Sequence, residues 1–164
     1  KPVIARVQGY AIGGGNVLAT ICDLTICSDK AVFGQVGPKM GSVDPGYGTA
    51  FLARVVGEKK AREIWYMCRR YSGKDAEAMG LANLCVPHED LDKTVQAWGE
   101  ELCERSPTAI GIAKRSFNMD TAHQAGIAGM GMYALKLYYD TEESREGVKA
   151  LGEKRKPEFR KYVK

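Results

Sequence analysis

The stretch KPVIARVQGYAIGGGNVLATICDLTICSDKAVFGQ, residues 1–35, decides the fold. From Val3 to Tyr10, apolar Val3, Ala5 and Val7 alternate with polar Arg6 and Gln8, which predicts a strand. Gly13-Gly14-Gly15 then makes a turn, and Asn16 to Cys22 is apolar and helix-compatible. Asp23 to Ser28 is β-branched and alternating, a second strand, and Ala31 to Gln35 predicts a third. Strand, glycine turn, helix and strand with short connections is the grammar of a parallel α/β layer.

Beyond Phe33 the texture changes. Gly34, Gly37, Gly41, Gly46 and Gly48, with Pro38 and Pro45, predict a long shaped loop without regular structure, a kind of segment that often carries function. The rest reads mostly as helix. Phe51, Leu52, Val55 and Val56 form one apolar face before Gly57, and Ala61, Ile64, Trp65 and Cys68 form the next. A short strand is expected within Leu81 to Val86, and then Leu91, Val95, Trp98 and Leu102 recur at helical spacing. Pro107 stands where a helix can begin, and helices continue through Lys114, Tyr133 and Glu146. Thr141 is the expected N-cap of the last, with Glu142 and Glu143 favourably placed in its first turn. No repeats or low-complexity linkers interrupt the chain. Three early strands alone leave an edge and a face uncovered, so further strands are expected upstream of Lys1.

At 164 residues, with 45% hydrophobic and 27% charged side chains, the chain is long enough for one domain with a proper core. No apolar run approaches the roughly 20 residues that span a bilayer, and the first residues lack a signal peptide's layout. The expectation is a cytoplasmic protein without a membrane partner. The five cysteines lack any C-x-x-C spacing, and there are only two histidines, so neither a zinc site nor a disulfide framework is expected, only reduced, buried thiols. Net charge is +4, with a basic tail of Lys149, Lys154, Arg155, Lys156, Arg160, Lys161 and Lys164. Such a tail is a solvated face or a partner for phosphates, of nucleic acid or of a nucleotide-bearing substrate, and composition does not choose between them.

Three glycines between a strand and a helix serve either a tight, closely packed turn or a backbone N–H aimed at a ligand. In the second case the fixed donor suits an oxyanion, because it needs no reorganisation as charge develops. A dinucleotide site is disfavoured, since neither this run nor Gly46-Tyr47-Gly48 completes G-x-G-x-x-G. In the following loop, Ser42 and Asp44 lie two residues apart between glycines, so a hydroxyl donor and a carboxylate can share one pocket. An Asp before Pro-Gly is also a common turn former.

Residues 1–35, through the glycine turn, Cys22-Asp23-Leu24 and Phe33-Gly34-Gln35, resemble the central signature of the crotonase (enoyl-CoA hydratase/isomerase) superfamily. The resemblance implies an α/β crotonase (ClpP-like) fold, a parallel β-layer followed by a helical C-terminal region, here without its N-terminal third. It implies that residues 1–105 are the later part of the α/β core and residues 106–164 a helical region that trimerises and completes the active site. It also implies an acyl-CoA substrate with CoA as carrier, no tightly bound cofactor or metal, no nucleic-acid partner, and a trimer or hexamer. Gly14 then offers the second oxyanion N–H, the first coming from an earlier turn. Hydratases of the family carry glutamates where this chain has Val17 and Gly37, so simple hydration by that pair is not expected.

The loop Gln35 to Gly48 and the segment EKKAREIWYMCRRY, residues 58–71, resemble the 1,4-dihydroxy-2-naphthoyl-CoA synthase branch. Val43-Asp44-Pro45-Gly46 and the tail from Tyr138 look most like the ring-opening 2-ketocyclohexanecarboxyl-CoA hydrolases of anaerobic benzoate degradation. This likeness implies catalytic roles for Asp44, Ser42 and Tyr139, with Tyr139 beside the aspartate and supplied in cis or by a neighbouring subunit. It implies that Lys154 meets the CoA phosphates. Gln35, Gly37 and Trp65 match positions where some synthases hold a bicarbonate, which keeps ring closure as the alternative reaction. A scaffold or RNA-binding role for the basic tail is the third.

Overall fold

The computed structural model describes residues 1–163; Lys164, the last of the expected basic tail, lies outside the described residues. The first expected strand is in fact two, β1 (Ile4–Val7) and β2 (Tyr10–Ile12), in different sheets. Between them Gly9 turns the chain, and its carbonyl accepts the Val32 N–H at 3.0 Å. The helix α1 (Gly14–Ile21) follows, then β3 (Leu24–Ser28) and β4 (Val32–Gly34). β1 and β3 pair in parallel with each other, and β3 with β6 (Leu84–Val86). β2 pairs in parallel with β4, and β4 runs antiparallel to β5 (Arg70–Ser72), a strand absent from the sequence expectation. The layer is therefore parallel except at that edge. Gly34 is required there, because a Cβ on it would stand 2.7 Å from the Arg69 carbonyl oxygen.

The glycine-rich segment holds one regular piece, the single-turn helix α2 (Gly37–Met40), which corrects the expectation of an unstructured loop. Pro38 fits its first turn and Gly41, with φ of 68°, ends it in the left-handed region. α3 (Ala50–Val56) and α4 (Glu58–Met67) then pack on the sheets, with Leu52, Ile64 and Phe33 fully buried around Trp65. α5 (Gly73–Ala78) opens on a reciprocal Ser72–Asp75 capping box. α6 (Leu91–Cys103) covers β1 and β3.

α7 (Pro107–Asp120) starts at the Ser106 cap, α8 is Gly126–Tyr139, and α9 (Glu142–Gly152) starts where Thr141 accepts the Ser144 N–H, as expected. α7 buries none of its residues, and Phe117, Met130, Tyr133 and Leu137 on α7 and α8 are all exposed. Among the cysteines only Cys27 is buried; Cys103 is exposed, against the expectation. Cys27 faces Cys85 across β3 and β6, and burial pushes its thiol up to about 12, far from the thiolate form that reacts.

Candidate active site

The glycine turn takes its shape from Gly13, whose φ of 58° is costly for any residue with a Cβ. Its N–H donates to the Gly34 carbonyl at 3.0 Å and its carbonyl accepts the Val17 N–H at 3.0 Å. The turn is thereby fastened to the end of β4 and to the start of α1. Gly14 opens the helix, so its N–H is one of the first-turn donors without an intrahelical acceptor. Gly14 is exposed, and a Cβ on it would meet nothing within 4 Å.

Sequence reasoning passed over Asn16, two residues on. It is fully buried, its Oδ1 accepts from the Gln35 side chain at 3.3 Å, and its Nδ2 has no partner. An amide in an otherwise apolar helical run was the available signal. Gln35 is itself 1% exposed, so this pair links the oxyanion turn to the start of the glycine-rich loop from inside.

On that loop the Ser42 hydroxyl and the Tyr139 phenol form a hydrogen bond of 2.9 Å. Tyr139 ends α8 and reaches the site within its own chain. Its hydrogen-bond partner is Ser42, not Asp44. The Asp44 carboxylate instead accepts three backbone N–H groups, from Gly46 at 3.1 Å, Gly48 at 2.9 Å and Thr49 at 2.6 Å. Those bonds fold the loop around the carboxylate and occupy most of its acceptor sites. Asp44 is thus the turn former that a pre-proline aspartate suggests, and its half-buried carboxylate faces the interior of the site.

What it faces is shown by Gly48. A Cβ there would lie 2.8 Å from the Trp65 ring, 2.9 Å from Asp44 Oδ1 and 2.9 Å from a Val17 methyl group. Asp44, Val17 and Trp65 therefore converge on one small volume at Gly48. The same indole bears on Gly37, whose Cβ would be 3.0 Å from the ring and 3.0 Å from the Ser42 carbonyl oxygen. Trp65 fills the space that a side chain at position 37 would take.

The implied bicarbonate does not fit this arrangement. The Trp65 N–H is donated to the Gly48 carbonyl at 2.8 Å, and the Gln35 amide nitrogen to Asn16. The Trp65 N–H and one Gln35 N–H are thus used inside the core, where Gln35 is itself almost fully buried, and no step is derived through that anion. Lys154 follows the end of α9 in a left-handed conformation with φ of 54°. Two residues of the basic tail are engaged: Arg155 makes a two-pronged pair with Glu146 at 2.6 and 3.1 Å, and Lys161 approaches the same carboxylate at 3.7 Å. Among the described residues no cluster of His, Cys, Asp and Glu is arranged to hold a metal ion.

The parallel strands, the glycine turn and the helical C-terminal region together define an α/β domain of recognisable type, and the comparisons agree. The sequence model of the enoyl-CoA hydratase/isomerase family matches residues 1–162, and the chain belongs to that family. The carnitinyl-CoA hydratase structure from Mycobacterium avium superposes with a TM-score of 0.90 at 27% identity, over 96% of this chain and 62% of that one. An enoyl-CoA hydratase from Mycobacterium avium subsp. paratuberculosis K-10 gives 0.89 at 25% identity, over 96% and 65%. A carnitinyl-CoA dehydratase from Mycobacterium avium 104 gives 0.89 at 26%, over 96% and 63%. The crotonase fold is thereby established, and the chain spans 62–65% of the length of these three relatives. No helix among the described residues is long and apolar enough to cross a membrane.

Proposed function

We propose that this protein is an acyl-CoA enzyme that holds a thioester enolate at Gly14 and uses it to break a carbon–carbon bond. The observation that carries this reading is the lack of an acid at positions 17 and 37, where Val17 and the Trp65-filled space beside Gly37 stand. The solved relatives bear hydratase and dehydratase names, but a water cannot be added across an alkene here by the usual carboxylate pair. In its place the site holds the Ser42–Tyr139 hydroxyl pair and the Asp44 carboxylate.

The reaction that suits these groups is ring opening of 2-ketocyclohexane-1-carboxyl-CoA. Water adds to the ring ketone, losing one proton toward Asp44, while the Ser42–Tyr139 pair donates to the ketone oxygen as it becomes an alkoxide. The bond from that carbon to the α-carbon of the thioester then breaks. Its electron pair becomes the enolate, whose oxygen accepts the Gly14 N–H. The ketone carbon leaves as a carboxyl group, and the α-carbon takes back one proton to give pimeloyl-CoA. Substrate and one water account for every atom of product.

Ring closure by a naphthoyl-CoA synthase, which uses the same enolate, is the alternative, supported by the likeness of residues 58–71 to that branch. The acyl-CoA is the substrate and CoA its carrier. The exposed apolar side chains of α7 and α8 support assembly as a trimer or hexamer. Full-length protein assayed against three thioesters tests the proposal. The expected result is consumption of 2-ketocyclohexanecarboxyl-CoA with a new carboxylate and no free thiol. Hydration of crotonyl-CoA as the preferred reaction would overturn it, and ring closure of succinylbenzoyl-CoA would select the synthase.

A further inference from the structure

The mechanism leaves one buried carboxylate unused. Glu146 on α9 is 5% exposed, yet it gathers the chain that follows the helix. It receives the Arg155 guanidinium at 2.6 and 3.1 Å, the Glu158 N–H at 2.8 Å and the Lys161 ammonium at 3.7 Å. A fork of this kind fixes direction as well as distance. The tail is thereby strapped across one side of α9.

An adjoining face of α9 is seated on the loop that carries Ser42 and Asp44. Gly147, the next residue, has no side chain, and a Cβ on it would lie 2.3 Å from the Met40 carbonyl carbon and 2.5 Å from the Gly41 nitrogen. Gly41 returns the contact, since its own Cβ would lie 2.3 Å from the Ser144 carbonyl oxygen. The Ser144 hydroxyl donates to the Gly41 carbonyl at 2.9 Å. A second seat lies one helix earlier. Gly46 is pressed on Ala128, and Gly131 on Pro45, with implied Cβ distances of 2.4 and 2.6 Å. Ser42 and Asp44 thus lie between two backbone-to-backbone seats, with no flexible side chain to absorb a shift. Tyr139, the last residue of α8 and three positions before α9, is the side chain most exposed to such a shift, because its hydrogen bond joins α8 to Ser42 on the loop that α9 seats.

We propose that Glu146, with Arg155, is a positioning residue: the strap presses α9 onto Gly41 and so sets the Ser42–Tyr139 hydrogen bond. The inference rests on the reading of that hydroxyl pair as part of the site. Release of the strap lets α9 move off the loop, and misplacement by even part of an ångström is costly in a site that works by positioning.

The test uses full-length protein with 3-fluorotyrosine placed at position 139 alone and read by fluorine NMR. Ser42→Ala gives the resonance of the unbonded phenol. Glu146→Gln is expected to move the wild-type signal toward that reference and to lower kcat by about tenfold with KM for the acyl-CoA unchanged. Arg155→Lys, which keeps the charge but not the fork, is expected to lie between the two. If Glu146→Gln does not fold, Arg155→Lys and Lys161→Ala carry the measurement. A variant that loses thermal stability but keeps the wild-type resonance and kcat would overturn the proposal. Movement of the resonance with full turnover would leave the positioning intact and overturn the catalytic reading of the hydroxyl pair instead.

Discussion

Replacing Gly147 by Ala sets two effects of known sign against each other. In a helix interior Ala is favoured over Gly by about 1 kcal/mol, and position 147 lies in the middle of α9, so propensity alone predicts stabilisation. The seat on the loop predicts the reverse. The new Cβ would stand 2.3 Å from the Met40 carbonyl carbon, whereas carbon atoms rest at about 3.5 Å or more. α9 must therefore retreat by about 1 Å, and both surfaces are backbone, so no rotamer change relieves the clash. Overpacking of this kind costs about 1–3 kcal/mol. The retreat also stretches the 2.9 Å Ser144–Gly41 hydrogen bond, worth about 1 kcal/mol. With the propensity gain subtracted, the variant should be less stable by about 1–3 kcal/mol. Gly99 and Gly111 supply the control, because they lie inside α6 and α7 with open space where a Cβ would go. Ala at either should stabilise by about 0.5–1 kcal/mol. Urea denaturation of the three variants reads the signs directly. A Gly147→Ala protein as stable as Gly111→Ala would refute the seat.

Three other expectations follow from single contacts. Lys154 occupies the left-handed position of a Schellman turn, with the Arg155 N–H on the Ala150 carbonyl and its own N–H on that of Leu151; Lys154→Gly should therefore raise stability by about 1 kcal/mol, and a fall in melting temperature would contradict this. Asp44→Asn should cost about 1–3 kcal/mol, because an amide nitrogen must face one of the three N–H groups, and Asp44→Asn and Tyr139→Phe should each lower turnover about a hundredfold; wild-type rates in both would remove them from the chemistry. The Arg155 fork, aided by the Glu158 N–H, holds the Glu146 carboxyl down at about 2 from an ordinary 4.5. A lowered carboxylate stabilises the fold above its unfolded value and loses that contribution as pH falls from about 4.5 toward 2, so the acid-unfolding curve of Glu146→Gln should be flatter across that window, and an unchanged slope would speak against the clamp.

Much of the core was legible because its signals are local. The alternation in Leu24–Ser28, the apolar face of Ala61, Ile64 and Trp65, and the Thr141 cap each depend on residues within a turn or two. The division of Val3–Tyr10 into two strands was not, because the alternation continues through Gln8 and only the pairing of Tyr10–Ile12 with Val32–Gly34 pulls them into a second sheet. β5 was hidden by its charge: Arg70-Tyr71-Ser72 is a short edge strand whose side chains are largely outside. Ser42 and Asp44 could be named from spacing, but the partners could not. That Tyr139 meets Ser42, and that Asp44 accepts three backbone N–H groups, are facts of a loop folded against two distant helices. The glycines at 41, 46, 131 and 147 carry no sequence signal for mutual contact, since each is defined by what would collide with it.

The most direct test of the enolate account is isotopic. Full-length protein is incubated with 2-ketocyclohexanecarboxyl-CoA in D2O enriched in oxygen-18, and the product is analysed by mass spectrometry and NMR. The account predicts pimeloyl-CoA with a single solvent oxygen in the distal carboxylate and at least one deuterium on the thioester α-carbon, with the thioester intact. Solvent oxygen in a carboxylate formed from the thioester carbon, with release of CoA thiol and no deuterium at the α-carbon, would contradict it.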